Sequence, residues 1–241
     1  MQLMRDYASL NLAMARFARG DWVGLREDLG DPELAVDASN LPIRTAFTIQ
    51  LDLATGEPGR LPWIRGERVI VDHPGAQAWQ DLCEALLARE EGDAEAAALA
   101  VRAVEGLAAI TGLAEDLSMM WPVAAEVVIG AGDAAALARI LRLTEEAGQR
   151  VPGALVAHRR WAEGTHAART GRPTDAEPLL RDAVTRYDAW GSPVYAALAR
   201  ATLSGVVAGQ GRDQEAAVLA QEAREVFGRI GATAWLRRLD G

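Results

Sequence analysis

The sequence predicts an all-α chain in which about six antiparallel helix pairs stack into a right-handed superhelix. Three observations lead there. Ala, Leu, Arg, Glu and Val are abundant among the 241 residues, and most of these are strong helix formers. Glycines followed by a turn or capping residue recur every 36 to 40 positions, at Gly20-Asp21, Gly56-Glu57, Gly92-Asp93, Gly132-Asp133, Gly171-Arg172 and Gly211-Arg212. No segment carries a convincing alternating strand pattern; the nearest, Arg68-Val69-Ile70-Val71, is short and reads equally as a helix end.

Each marker glycine ends one helical pattern and precedes the next, as a helix C′ glycine does. The chain breaks again near Gly30, Gly75, Gly112, Gly148, Gly191 and Gly231, so each period holds two helices of roughly 12–18 residues. Start signals fall where this division needs them. Asp93 and Asp133 precede Ala-rich runs, Ser192-Pro193 reads as a cap followed by a first-turn proline, and Thr174 through Glu177 resembles a capping box. The periods run 1–38, 39–74, 75–111, 112–149, 150–190 and 191–231, with 232–241 as a short capping helix, all within a single domain.

Alignment on the glycines sharpens the repeat. Seven residues before them stand Ala13, Ile49, Ala85, Ala125, Gly164 and Ser204, small in five of six cases, as expected where two helix backbones approach closely. Five, nine and twelve residues after the last four stand Ala97, Val101 and Val104; Leu137, Leu141 and Thr144; Ala176, Leu180 and Ala183; and Ala216, Ala220 and Ala223. That spacing keeps one stripe of each second helix turned inward.

The small residue, the glycine turn and the spaced Ala/Leu positions resemble a loose tetratricopeptide (TPR) pattern stretched to about 40 residues per period. At the C-terminal end, Ala223, Phe227, Gly231-Ala232, Trp235 and Arg238 are similar to the segment that closes the TPR-like region of large ATP-binding LuxR-type transcription activators and adenylate-cyclase-type regulators of bacteria. Arg65 and Arg68 depart from the pattern in the second period. The resemblance implies a regulatory binding scaffold that accepts a protein, a peptide or a small ligand on its concave face, and that can self-associate as a homodimer. Those regulators also carry an NTPase module and a DNA-binding output module. Here there is no Walker A motif and no helix-turn-helix, so the chain reads either as a segment of such a regulator or as a free-standing relative.

Composition narrows the function. The formal net charge is −9, and the longest basic clusters are the pairs Arg159-Arg160 and Arg237-Arg238, so direct nucleic-acid binding is not expected. All 25 basic residues are Arg, which excludes a lysine Schiff base and a P-loop. Cys83 is the single cysteine and reads as a core thiol, with no internal disulfide or multi-cysteine zinc site. The start Met1-Gln2-Leu3-Met4-Arg5-Asp6 lacks the basic and apolar blocks of a signal peptide, and no stretch is long enough to span a membrane. A cytoplasmic location and no cofactor are the expectations.

In stacked helix pairs the first helix of each pair lines the concave side, so binding residues are sought there. Trp79, Trp121 and Trp161 lie on successive first helices and read either as an aromatic wall or as core between repeats. Met119, Met120 and Trp121 precede Pro122, which kinks a helix, and could form an adaptable apolar pocket or simply fill gaps. His158, Arg160 and Trp161 share the fifth first helix; Arg159 or Arg160 could recognise an anion, while Glu163 with His166 falls short of a metal set. No serine has a nucleophile-elbow context, and the acid pairs Glu115-Asp116 and Glu145-Glu146 face different directions on a helix. The binding candidates are therefore Trp79, Met119, Met120, Trp121, His158, Arg160 and Trp161, with no catalytic or metal residues. Two other readings stay open. A closed α/α toroid with clustered carboxylates would point to an enzyme, and a featureless concave groove would point to a structural spacer.

Overall fold

The computed structural model describes residues 2–30, 41–57, 73–110, 114–146 and 153–240. Arg65, Arg68, the segment 68–71 and the period boundaries at 38, 111 and 149 lie outside these residues. Among the described residues the chain is all helix. The elements are α1 (Gln2–Arg19), α2 (Trp22–Gly30), α3 (Leu41–Thr55), α4 (Pro74–Glu90), α5 (Ala96–Ala108), α6 (Ala114–Ala131), α7 (Ala134–Glu146), α8 (Gly153–Arg169), α9 (Pro173–Trp190), α10 (Pro193–Ala208), α11 (Asp213–Ile230) and α12 (Thr233–Asp240). None of them is long and apolar enough to cross a membrane.

One device sets most of the turns. The six marker glycines, with Gly191 and Gly231, all take positive φ between 70° and 78°. At five turns within the periods and at both of these later turns, the residue after the glycine donates its N–H to a carbonyl five positions back. Examples are Asp21 to Arg16 at 3.0 Å, Asp93 to Ala88 at 2.8 Å and Ala232 to Phe227 at 2.9 Å. This satisfies a carbonyl that the helix end would leave open. The next helix then starts on an acceptor in several cases: Asp133 Oδ1 accepts from the N–H groups of Ala135 and Ala136, both at 2.9 Å.

Two expected caps are built differently. α9 begins at Pro173, which places Thr174 inside the helix, and Arg172 occupies the cap position with no side-chain bond. Glu177 instead binds Arg181 and Arg212. Ser192 stands at the cap of α10 without capping it; its hydroxyl donates to the Ala18 carbonyl at 3.4 Å, 174 positions away.

The residues seven before each marker glycine are all buried. Gly164 shows why small residues stand there. A Cβ at this position would lie 2.7 Å from Leu180 Cγ and 3.2 Å from the Ala176 carbonyl, so α8 and α9 touch backbone to side chain. Gly92 is the opposite case, with φ of 72° and nothing within 4 Å of a Cβ. Both glycines are expected to resist alanine, for different reasons. Gly92→Ala should cost about 1–2 kcal/mol through backbone strain and Gly164→Ala about 1–3 kcal/mol through crowding. In urea denaturation, Gly92→Asn should recover part of the loss because Asn tolerates the left-handed region, whereas Gly164→Asn should be worse than Gly164→Ala. Equal behaviour of the two asparagine variants would contradict this assignment.

The helices also form a closed circuit of contacts. α3 packs on α4, α4 on α6, α6 on α8, α8 on α10, α10 on α1, and α1 back on α3, while α12 packs on α3 and α11. The joint between the two ends is aromatic. Trp235 meets Trp22 edge-on at 5.5 Å, Phe17 at 6.5 Å and Phe227 at 5.4 Å between ring centroids. All four rings are at most 4% exposed. Around them Gly20 faces Ile230 and Val194, and the Thr233 hydroxyl donates to the Thr55 carbonyl. The array therefore does not run out to two separated ends.

Candidate functional site

The first helices of the later pairs, with the C-terminal helices, line an open-sided cavity of about 570 Å³. α4 supplies Arg89 and Glu90; α6 supplies Glu126, Ile129 and Gly130; α8 supplies Trp161 and Arg169. α10 adds Leu198, Ala201 and Thr202, and the C-terminal helices add Phe227, Trp235, Arg238 and Leu239. The volume lies within the range that holds an organic ligand. The wall is mixed: aromatic and aliphatic surface on α8, α10 and α12, with three arginines against two glutamates toward α4, α6 and the helix ends.

Arg89 is the most constrained of these charges. Its side chain is 9% exposed, and Nη1 lies 3.5 Å from Glu126 Oε1, whose own side chain is 12% exposed. Nε is buried without a hydrogen-bond partner. Such a guanidinium keeps hydrogen-bonding capacity that its surroundings do not use. The space for it comes from α6, where a Cβ on Gly130 would sit 2.9 Å from Arg89 Cδ. Arg169 donates to the carbonyl of Ile129 near the C-terminal end of α6, where a cation complements the helix dipole.

The structure distributes the seven sequence-derived candidates widely. Trp161 lines the cavity, 4% exposed, with its indole N–H donating to Thr202 Oγ1 at 3.2 Å. The other six do not line it. Trp79 is 2% exposed in the core. Met119, Met120 and Trp121 are buried as well, and the Trp121 indole donates to the Ile140 carbonyl at 3.1 Å, fastening α6 to α7. Arg160 lies at the surface, paired with Glu163 at 2.9 Å and Asp182 at 3.3 Å. These placements do not bring the seven side chains together on one surface. The three tryptophans stand thirteen, eleven and ten residues before their glycines, so near-equal spacing along the chain does not give equal direction around the helix.

His158 is fully interior. Its Nδ1 lies 2.6 Å from the Tyr187 hydroxyl, and its ring sits edge-on to Tyr187, Trp190 and Tyr195. Burial lowers its pKa to about 3 and pushes both tyrosines upward. The imidazole is thus neutral and shares a hydrogen bond through Nδ1 with a hydroxyl that stays protonated. Cys83 is buried, its thiol directed at the Pro42 carbonyl at 3.4 Å, and its pKa is raised by burial, which makes it unreactive. Among the described residues no three His, Cys, Asp or Glu side chains come together as a metal set.

Arg89, Glu126, Phe227 and Trp235 line the cavity without having been among the binding candidates. For Arg89 the repeat itself held a signal. Three residues before the six marker glycines stand Phe17, Leu53, Arg89, Ile129, Ala168 and Ala208, and Arg89 is the one charged side chain in that register. A scan of protein-family models finds no match for this chain, and a search of curated proteins finds no relative.

Proposed function

We propose that this chain is a non-catalytic binding domain, a TPR-like right-handed superhelix of a bacterial regulator, and that it takes a small organic ligand in the cavity lined by its first helices. The observation that carries this reading is the cavity itself, with a buried, incompletely bonded arginine facing aromatic and aliphatic walls. A groove-bound peptide would need a long open concave face. The contact between α1 or α3 and the C-terminal helices shortens any such face. Ligand occupancy would act on the circuit of helices that surrounds it, and so on whatever is joined to either end of the array.

The closed circuit is also what an α/α-toroid enzyme would have, which keeps that reading as the alternative. Its carboxylates would be Glu90 and Glu126, and the second already carries Arg89 as a counter-ion. A carboxylate already engaged by a neighbouring guanidinium suits a structural or binding role better than proton transfer. Native mass spectrometry of the protein purified from its own host tests the proposal. The expected result is a stoichiometric adduct on the order of a few hundred daltons that is lost in Ala201→Trp, which fills the cavity, while the variant melts as a folded protein. A bare wild-type chain that captures a protein partner instead would overturn it.

A further inference from the structure

We infer that the ligand is an organic anion whose acid group is read by Arg89 and whose apolar body lies against Trp161, Trp235 and Leu198. This rests on the cavity being the binding site, and adds the chemical class of what occupies it. Four observations converge on it. In a chain of net charge −9, the cavity wall carries an excess of positive charge, Arg89, Arg169 and Arg238 against Glu90 and Glu126. Arg89 is nine-tenths buried, and its ionic contact among the described residues, to Glu126, is long at 3.5 Å. Its Nε has no acceptor, although burying an unsatisfied charged donor is costly unless something completes it. Gly130 leaves open the strip of α6 along which the Arg89 stem lies, since a Cβ would meet Cδ at 2.9 Å.

The planar guanidinium offers a fork of N–H donors that matches the two oxygens of a carboxylate or phosphate. Glu126 holds one N–H of that fork at long range; Nε is closed off, and a ligand acid can take the terminal N–H groups that reach the cavity. The apolar body is implied by the opposite wall. Trp161, whose indole N–H is already bonded to Thr202, presents carbon surface, and Leu198, Ala201 and Leu239 continue it. A bare inorganic anion would leave that half of the cavity unfilled.

Isothermal titration with 2-naphthoate, 2-naphthyl phosphate and neutral 2-naphthamide separates the parts of this inference. The acids are expected to bind about tenfold to a hundredfold more tightly than the amide, the range of a hydrogen bond to a charged group. The stronger of the two acids shows whether a carboxylate or a phosphate is the preferred head. Arg89→Met should bring the acids down to the affinity of the amide, and Arg89→Lys, which keeps the charge beside Glu126, should recover only part of the preference. Equal binding of acid and amide by the wild-type protein would overturn the anion inference while leaving the cavity as a binding site. Absence of binding by all three would count against both. An acid preference that survives unchanged in a folded Arg89→Lys or Arg89→Met variant would also overturn it.

Discussion

Trp235→Ala should lower the unfolding free energy by about 3–5 kcal/mol, the usual cost of truncating a large buried aromatic. The loss should also be local in origin. Trp235 is 4% exposed and lies against Phe17, Trp22 and Phe227, so it joins α12 and α11 to the first helix pair. Removing the indole leaves a hollow between Phe227 and the stacked pair Phe17 and Trp22. Hydrogen exchange should therefore show α1, α2 and α12 losing protection, while α8 and α9, which bury Leu180, Ala183 and Tyr187 between them, keep theirs. Ser192 and Thr233 also bridge the ends, but single hydrogen bonds contribute only about 1 kcal/mol each. A change of less than about 1 kcal/mol, or a uniform loss of protection, would mean that the aromatic joint does not hold the circuit closed.

His158 should make the protein acid-sensitive over a defined range. In the unfolded chain a histidine titrates near 6.5; in the fold, burial holds it to about 3. Above the unfolded value both states are neutral and the group contributes no pH dependence. As the pH falls below it, the unfolded chain binds a proton that the fold refuses, and stability declines by about 1.4 kcal/mol per pH unit until the folded value is reached. Carboxylates such as Glu177, held below the ordinary range by Arg212 and Arg181, lose their contribution in the same acidic region. A comparison with a variant removes that background. His158→Gln keeps an acceptor for the Tyr187 hydroxyl and cannot be protonated. The stability advantage of wild type over His158→Gln should shrink by about 2–3 kcal/mol between pH 7 and pH 4.5. Parallel stability curves would show that the imidazole is reached by protons in the folded state.

The local framework of the fold was readable from residues near each other in sequence. A glycine at a helix end needs positive φ, and its neighbours supply the bonds that close the turn, so Gly20, Gly92 and Gly211 declare themselves wherever they occur. The buried register seven before them follows from the same frame. The closure between ends was not readable, because Ser192 to Ala18 and Trp235 to Trp22 relate residues that share no local signal. Ser192 illustrates the limit: its sequence context marks a helix cap, and its hydroxyl is used for a contact across the molecule. The lining of the cavity was hidden for a related reason. Type and approximate spacing drew attention to Trp79 and Trp121, whereas register relative to the glycines decides which face a side chain takes, and that places Trp161 and Ala201, each ten before its glycine, on the cavity.

The most direct test of the central claim uses the indole N–H resonances in nuclear magnetic resonance. Trp161 and Trp235 line the cavity, Trp79 and Trp121 are buried away from it, and Trp190 is 44% exposed on the outside. On titration with 2-naphthoate, the resonances of Trp161 and Trp235 are expected to shift together while those of Trp79 and Trp121 stay in place. Shifts confined to Trp190, or no shift at saturating ligand, would contradict a binding site lined by the first helices.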